Sequence, residues 1–217
     1  MGYKLVMFDF DGTLADTFPW ALSLYAELTE RFDLPLVDPS EYEQWRGRSV
    51  REMMHTYGIS PRRLPRIGAY MKKRMAENLE TLTLFPGVAE MLGALSQHGL
   101  RLAVVSSNDK DNIRAVLGAK TDAHFEHYEC GVALFGKAGK LRHTLRVTGV
   151  ARQDALYIGD EIHDLEAARE AEIDFGAVAW GYNTRASLAE HHPAFLFGAV
   201  SDITAALTDH RQPRQSA

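Results

Sequence analysis

The sequence predicts an α/β protein built on a doubly wound parallel sheet, and three observations lead to this fold class. Strand-like apolar runs alternate with helical patterns through the second half of the chain. The first run, at residues 4–8, is mostly apolar on both faces, which is typical of a strand inside a parallel sheet. With 217 residues, of which 46% are hydrophobic, the chain is long enough to bury such a sheet.

The predicted elements follow one another in order after Phe85. Pro86-Gly87 opens a helix that ends at Gly99. The predicted strands lie at residues 101–105, 125–128, 155–158 and 175–180. The helices between them are predicted to run to about residue 117, around residues 141–147 and over residues 165–171.

Residues 16–82 predict helices without an intervening strand. Apolar side chains recur there at helical spacing: Leu22, Tyr25, Leu28 and Phe32, then Tyr42, Trp45 and Met53, and then Ile67, Tyr70, Met71 and Met75. We interpret residues 16–82 as an inserted all-helical cap domain, and residues 1–15 and 83–210 as the α/β core. Because both crossings lie beside the predicted sheet edge, the cap is placed to act as a lid, and a fixed helical subdomain is the alternative. Residues 211–217 are expected to be a disordered tail.

The composition argues against several classes of partner. The formal net charge is -5 and no basic cluster stands out, so neither nucleic acid nor a membrane surface is expected as a partner. No apolar run is long enough to cross a membrane, and two aspartates occupy the place of a signal peptide's apolar core. The single cysteine, Cys130, cannot form an intrachain disulfide. We therefore expect a cytoplasmic protein, either a monomer or a homodimer.

Asp9 and Asp11 are the most informative residues of the chain. Asp9 ends the first predicted strand and Asp11 stands just past it, at the edge of an open α/β sheet where ligands bind. Gly12 lets the backbone turn back with a positive φ that other residues resist. Two crowded carboxylates repel each other unless a cation or a shared proton separates them. The pair therefore indicates a divalent metal or an acid/base partnership, although an Asx turn would explain the same residues.

Polar residues also follow two other strands and open one helix. Ser106-Ser107-Asn108 offers hydroxyls and free helix amides to a phosphate oxygen, or simply caps the next helix. Asp160 and Asp164 form a second acidic cluster that completes a metal site with Asp9, or that only favours the positive end of a helix. Lys137 either neutralises the clustered carboxylates and a bound anion, or lies in solvent at the surface as most lysines do.

Two patterns imitate other ligand sites. Residues 131–137 have the Gly-x4-Gly-Lys opening of a P-loop, but Ala138 lacks the hydroxyl that would hold Mg²⁺. His124, His127 and Cys130 have a regular spacing that suggests zinc, but no fourth ligand is nearby. We expect neither a nucleotide nor a zinc ion at these positions.

Taken together, the motifs resemble the haloacid dehalogenase superfamily of phosphotransferases. The shared residues are Asp9-Phe10-Asp11-Gly12-Thr13, Ser106, Lys137 and Gly159-Asp160-x3-Asp164, in the order of the family's four motifs. The helical insertion looks like the family's C1 cap, and the core is similar to its Rossmann-like sheet. Phe85-Pro86-Gly87 and Ala179-Trp180-Gly181-Tyr182-Asn183 look most like the phosphoglycolate phosphatase branch.

The resemblance implies a metal-dependent covalent mechanism. Asp9 attacks phosphorus and forms an aspartyl phosphate, and Asp11 serves first as general acid and then as general base. The implied cofactor is Mg²⁺, bound by the Asp9 carboxylate, the main-chain carbonyl of Asp11 and Asp160.

The resemblance also implies a set of residues around the transferring phosphoryl group. Ser106 and Lys137 hold that group, whose charge must be neutralised in the transition state. Thr13 orients the nucleophile or the attacking water. Asp164 supports the site by orienting Lys137 or a metal-bound water.

The function expected from this resemblance is Mg²⁺-dependent hydrolysis of a small phosphorylated metabolite, of the phosphoglycolate or sugar phosphate type. A sugar phosphomutase is the alternative because it uses the same aspartate pair, and an inactive regulatory or binding module is an alternative from another class. The acid at Asp11 argues against a dehalogenase or a P-type ATPase. In the cap, Arg46 or Arg48 is expected to contact a substrate carboxylate or second phosphate, unless both belong to a solvated face.

Overall fold

A computed structural model describes residues 2–36, 38, 41–131 and 136–209. Its described strands form one sheet and are β1 (Leu5–Phe8), β2 (Arg101–Val105), β3 (Phe125–Glu129), β4 (Ala155–Gly159), β5 (Asp174–Val178) and β6 (Phe195–Phe197). They are hydrogen-bonded in the order β3-β2-β1-β4-β5-β6, and every neighbouring pair is parallel. The predicted fold class, an α/β protein with a Rossmann-like parallel sheet, is confirmed.

Helices cover both faces of the sheet. The α-helices in the described ranges are α1 (Phe18–Phe32), α2 (Tyr42–Arg46), α3 (Val50–Thr56), α4 (Leu64–Ala76), α5 (Val88–Gln97), α6 (Lys110–Asp122), α7 (Lys137–Thr148), α8 (Ile162–Glu170), α9 (Arg185–Glu190) and α10 (Val200–Thr208). Helices α5, α6 and α10 pack with Val6 and Phe8 on one face, while α7, α8 and α9 pack with Leu5 and Met7 on the other. Because alternate residues of β1 face opposite layers, the whole strand is apolar and buried.

The structure corrects the predicted bounds of two elements. The fifth strand ends at Val178 and does not reach Trp180, because the chain leaves the sheet there and the Trp180 indole Nε1 donates to the Thr13 carbonyl at 3.1 Å. Helix α8 begins at Ile162, three residues before its predicted start, where the amide of Glu161 donates to the Asp164 carboxylate at 3.4 Å. Both differences come from side chains that reach across a turn.

Three elements near the C-terminus were not predicted. Strand β6 has three residues, of which only Phe197 is fully buried, so it shows no alternation of apolar and polar positions. Helix α9 has six residues, and α10 buries Ile203 alone. Elements this short carry too few apolar repeats for a periodic pattern to emerge. The predicted tail at residues 211–217 lies outside the described residues.

Helices α1 and α4 carry an apolar cluster of their own. Its buried members are Leu24, Leu28 and Ile67, and the half-buried residues Trp20, Phe32, Leu34, Tyr70 and Met71 pack against them. The chain crosses between the core and these helices twice, and the two crossings pair with each other. The amide of Asp16 donates to Thr83 at 2.9 Å, and that of Phe85 to Leu14 at 3.0 Å. The division into cap and core stays a prediction, which this separate cluster supports.

Within the described ranges, no helix combines the length and the apolar character that a membrane crossing requires.

We expect Leu28→Ala to loosen the cap while leaving the sheet intact. Leu28 is buried within the cap cluster, so its truncation should cost about 2–4 kcal/mol of cap stability. Hydrogen exchange should accelerate over α1 and α4 but not over β1 or β2. The matched control is Leu156→Ala, which removes an equally buried side chain from the sheet and should accelerate exchange globally. Equal acceleration of cap and sheet by Leu28→Ala would show that they unfold as one unit.

Candidate active site

The site lies where three neighbouring strands end. Asp9 directly follows β1, Ser106 follows β2 and Asp160 follows β4. In the sheet register Phe8 pairs with Val104 on one side and Ile158 on the other. The polar residues that follow these strands therefore meet at the carboxyl edge of the sheet, which is the usual ligand site of open α/β folds.

The turn after β1 requires glycine at position 12. Gly12 has a φ of +74°, and a Cβ on it would lie 2.3 Å from Oδ2 of Asp160. The next residue, Thr13, is buried, and its hydroxyl donates to Oδ1 of Asp160 at 2.7 Å. The backbone amide of Tyr182 donates to Oδ2 of the same carboxylate at 2.7 Å. The sequence predicted Gly12 as the turn residue, and the structure adds that the turn packs directly against Asp160.

Lys137 lies buried between two aspartates. It is the first residue of α7, only 3% exposed, and its ammonium lies 3.0 Å from Oδ2 of Asp9 and contacts Oδ1 of Asp164. Burial alone would lower the pKa of Lys137, but Asp164 and Asp9 outweigh burial and raise that pKa well above its usual value. The alternative of a solvated surface lysine is therefore wrong, and Lys137 is a permanent cation inside the site.

Asp9 has one carboxylate oxygen bound and the other without a partner. Oδ2 contacts Lys137, whereas the buried Oδ1 has no hydrogen-bond partner among the described residues. Burial raises the pKa of Asp9 to about 6 against the opposing effect of Lys137. A buried polar oxygen without a partner is costly, so its presence here points to a ligand.

Asp11 is held by side chains from the β2 loop and from the entry to the cap. The Asn108 amide donates to both of its carboxylate oxygens, at 3.2 and 3.1 Å, and Thr17 also hydrogen-bonds to it. Burial raises the pKa of Asp11 to about 6, although both hydrogen bonds lower it. Asn108 was expected to contact phosphate, and in this structure its side-chain amide instead orients Asp11.

The two serines after β2 differ in their surroundings. Ser106 is fully buried. Its backbone amide donates to the Glu129 carbonyl at 3.2 Å, and its hydroxyl accepts from the backbone amide of Asn108 at 3.3 Å. Ser107 is partly exposed. The loop is thus fixed at Ser106, at the end of the strand next to Asp9.

A group of carboxylates fits a divalent cation. Oxygens of Asp9, Asp160 and Asp164 lie within 4.8 Å of one another, and all three residues are buried. Burial raises the pKa of Asp160 with help from neighbouring acids, while Lys137 lowers that of Asp164 against the effect of burial. Carboxylate oxygens are the ligands that Mg²⁺ prefers, so three buried carboxylates this close together form a donor set of the right chemistry. The residues present therefore fit Mg²⁺.

Several polar residues near the site were not predicted. Glu161 adds a further acid beside Asp160, and burial raises its pKa to about 8. The hydroxyls of Thr17 and Tyr182 lie 3.1 Å apart and link the cap entry to the loop after β5. Tyr157 donates from its buried hydroxyl to Asp164 at 3.2 Å. Glu161 stood within the acidic cluster of the sequence, whereas the tyrosines gave no signal because their partners are distant in the chain.

The cap arginines contact the core by their backbone and side chains. Arg46 donates from Nε to the Tyr182 carbonyl at 3.1 Å and from Nη2 to the Gly181 carbonyl at 2.9 Å. In return the Asn183 amide donates to the main-chain carbonyls of Arg46 and Arg48, at 2.8 and 3.0 Å. Arg46 thus fastens the cap to the loop after β5 in this conformation. A substrate contact by either arginine stays a prediction.

A second cap contact lies above Asp11. Met75 at the end of α4 contacts the Asn108 amide through its sulfur at 2.9 Å. One turn earlier, Lys72 pairs with Asp109 at 3.1 Å, and its carbonyl accepts from Asn112 at 3.1 Å. The cap therefore touches the core on both sides of the carboxylate cluster.

Comparisons with known proteins agree with this arrangement. A family model described as haloacid dehalogenase-like hydrolase matches residues 6–178. The phosphoglycolate phosphatase of Synechococcus elongatus is 33% identical over 206 residues, which are 94% of this chain and 97% of that protein.

Two solved structures share the fold over nearly the whole chain. A predicted phosphatase from Clostridium acetobutylicum is 19% identical with a TM-score of 0.79, covering 95% of this chain and 98% of that one. A predicted phosphoglycolate phosphatase from Haemophilus somnus is 25% identical with a TM-score of 0.71, covering 94% of this chain and 97% of that one. The chain therefore belongs to the haloacid dehalogenase-like hydrolase family, in the branch of its phosphoglycolate phosphatase relatives, and is by class a phosphoric monoester hydrolase.

Proposed function

We propose that this protein hydrolyses small phosphate monoesters of the phosphoglycolate or sugar phosphate type, with Mg²⁺ and through an aspartyl phosphate on Asp9. The observation that carries the proposal is the state of the Asp9 carboxylate. One oxygen is held by the Lys137 ammonium and the other is buried and unpartnered among the described residues, which leaves it free to act as a nucleophile. We propose a cytoplasmic site of action, which the single cysteine supports because nothing in the cysteine content indicates an oxidising compartment.

Asp9 and Asp11 divide the chemistry between them. The Asp9 oxygen forms a bond to phosphorus while the bond from phosphorus to the substrate's alkoxide breaks, and Asp11 donates its proton to that alkoxide. A water molecule then attacks the phosphorus, Asp11 takes a proton from it, and the bond between Asp9 and phosphorus breaks to release phosphate. A pKa of about 6 for Asp11 suits both transfers, because one carboxyl must give and then accept the proton near neutral pH.

The remaining residues hold charge in place. Asp9, Asp160 and the main-chain carbonyl of Asp11 are the groups we assign to Mg²⁺, which when bound supplies positive charge to the phosphoryl oxygens. Lys137 supplies a second, fixed positive charge in direct contact with Asp9. Ser106 and Lys137 are assigned to the phosphoryl group, and Asp164 positions Lys137 through their direct contact.

The substrate tail faces the cap in this proposal. The relatives that match nearly the full chain are phosphoglycolate phosphatases, and the cap covers Asp11 through Met75 and the β5 loop through Arg46. A small anionic substrate enclosed there reacts away from bulk water, which strengthens the electrostatic contacts. We assign Arg48 to the substrate's second anionic group, since Arg46 already donates to two core carbonyls.

Asp9→Asn should abolish phosphate release. Removing the catalytic nucleophile is expected to lower kcat by at least about 10³-fold. The assay measures phosphate release from phosphoglycolate and a panel of sugar phosphates, with Mg²⁺ and with EDTA. Asp16→Asn is the matched control, because it makes the same change at an exposed aspartate of the same loop and should keep full activity.

Retained activity in Asp9→Asn, or in the wild type with EDTA, would contradict the proposal. Acid-quenched protein from a radiolabelled substrate should carry alkali-labile, hydroxylamine-sensitive phosphate in the wild type alone. Transfer of phosphate between sugar carbons without release would instead identify a phosphomutase.

The loss of hydrolysis rate in Asp11→Asn should depend on the leaving group. An alkoxide leaving group needs a proton, whereas p-nitrophenolate leaves without one. We therefore expect the rate of intermediate formation to fall by about 10²–10⁴-fold with phosphoglycolate and by a smaller factor with p-nitrophenyl phosphate. Rapid-quench measurement of the first turnover isolates that step. Equal losses with both substrates would refute the general-acid role.

Metal-free protein should lose stability as pH rises through about 6, and Mg²⁺ should restore it. The folded-state pKa values of Asp9 and Asp11 are raised to about 6 from the ordinary aspartate value of 3.8, so the folded state holds their protons more tightly than the unfolded state. The stability that these two carboxyl groups contribute is fully present below their unfolded-state pKa. It is lost as the pH rises through their folded-state pKa. In EDTA we expect Tm to fall by about 5 °C between about pH 5 and about pH 8.

The Mg²⁺-induced rise in Tm should be larger at the higher pH, because the ion binds the deprotonated carboxylates. Differential scanning calorimetry measures both effects. The double variant Asp9→Asn with Asp11→Asn should reduce the pH dependence, and Asp16→Asn should not; the dependence that remains is assigned to Glu161 and Asp160. A Mg²⁺ effect that is the same at both pH values would contradict this assignment.

A further inference from the structure

A second group of metal-ligating side chains lies outside the carboxylate cluster. His127 and Glu129 stand on β3, His143 stands on α7, and their ligand atoms lie within 4.8 Å of one another. None of these residues belongs to the catalytic cluster of Asp9, Asp160 and Asp164. Sequence spacing had suggested His124 and Cys130 as companions of His127, whereas the fold brings His127 to Glu129 and to a helix that follows later in the chain.

The Glu129 carboxylate divides its two oxygens between different partners. Oε1 is 2.6 Å from the Lys140 ammonium, while Oε2 faces Nδ1 of His143 at contact distance and Nε2 of His127 at 3.5 Å. The carboxylate side chain is only 11% exposed. Although burial raises its pKa, hydrogen bonds from Lys140 and His143 outweigh burial and lower the pKa of Glu129, so the group is ionised near neutral pH.

His127 is the member of this group that lacks a partner. Its Nε2 is buried, and among the described residues it makes no hydrogen bond, even though it lies near a carboxylate oxygen. A buried imidazole nitrogen without a hydrogen bond has lost its hydration and has gained no partner in exchange. A cation between the two groups would satisfy both.

We propose that His127, Glu129 and His143 form a binding site for a divalent transition-metal ion of the Zn²⁺ type. Two imidazoles and one carboxylate are a ligand set that suits Zn²⁺, with water as the fourth ligand. Ligand atoms about 2.0–2.1 Å from a tetrahedral ion lie about 3.3 Å from one another. The 3.5 Å separation of His127 and Glu129 matches that edge. Nδ1 of His143 is in hydrogen-bond contact with Glu129, so it must release its proton and move away from that oxygen to bind the ion. The ring of His143 is half-exposed, which leaves a path for the ion.

The donor set separates this site from the Mg²⁺ site. Imidazole nitrogens favour zinc, copper or nickel, while Mg²⁺ prefers oxygen ligands in octahedral geometry. Lys140 already neutralises one Glu129 oxygen, so the affinity comes mainly from the two imidazoles. The site therefore discriminates against Mg²⁺ by ligand type, and its occupation does not depend on the catalytic proposal.

The ion would fix the framework of the catalytic site. The main-chain carbonyl of Glu129 accepts the amide of Ser106, and α7, which carries His143, begins at Lys137. An ion that joins β3 to α7 therefore ties together the two elements next to Ser106 and Lys137. Its role is to hold these elements and not to contact the substrate.

Isothermal titration with Zn²⁺ in excess Mg²⁺ at near-neutral pH tests the site. The wild type and the matched control His124→Ala should bind Zn²⁺ alike, because His124 lies one residue before β3 and outside the cluster. His127→Ala and His143→Ala should each weaken binding by at least about 10–100-fold, the loss found when even an outer-shell partner of a metal ligand is removed. Circular dichroism establishes that each variant is folded.

Co²⁺ provides a measurement that needs no variant. A tetrahedral site with nitrogen ligands gives intense visible absorption, whereas an octahedral oxygen site absorbs weakly. The wild type should show the intense bands in excess Mg²⁺, and added Zn²⁺ should remove them. The proposal is overturned if the intense bands are absent, or if Zn²⁺ binding persists in both folded histidine variants and disappears in Asp160→Asn.

Discussion

The contact of the Lys137 ammonium with Asp9 and Asp164 is the interaction on which the rest of the site depends. The ends of three strands bring several acids into a buried space, and burying unpaired charges would cost several kcal/mol for each ion. Lys137 is itself buried and supplies a positive charge in contact with two of these acids. Removing it would leave both carboxylates uncompensated, so the same side chain supports the fold and opposes the effect of burial on the pKa of Asp9.

The carboxyl edge of the sheet was predictable because Asp9, Ser106 and Asp160 each directly follow a strong apolar strand. Asp9 and Asp160 needed only the rule that parallel strands end together, and the structure brings them together with Asp164. The contacts of Asn108 and Arg46 could not be predicted from the sequence, because each is made with a residue far along the chain. Local patterns state which residues are polar, but tertiary packing decides which of several partners a side chain meets.

The histidines show the same limit in another form. The regular spacing of His124, His127 and Cys130 along the chain drew attention to three residues, yet only His127 enters the cluster on β3. Its partners there are Glu129, which shares its strand, and His143, which is reached after a crossover to α7. Parallel strands join through long connections, so the contacts that build a site in such a sheet are mostly invisible to short motifs.

The loop after β5 contacts both Asp160 and the predicted cap. The amide of Tyr182 donates to Asp160, while the carbonyls of Gly181 and Tyr182 accept from Arg46 of the predicted cap. A movement of residues 16–82 that releases Arg46 would alter the same peptide units that orient Asp160. If the proposed cation binds Asp160 better in the present geometry, it also favours the contacts of Arg46, and by reciprocity a substrate that favours those contacts tightens the cation by the same factor. Under the proposed function, the affinities for substrate and for metal are therefore coupled.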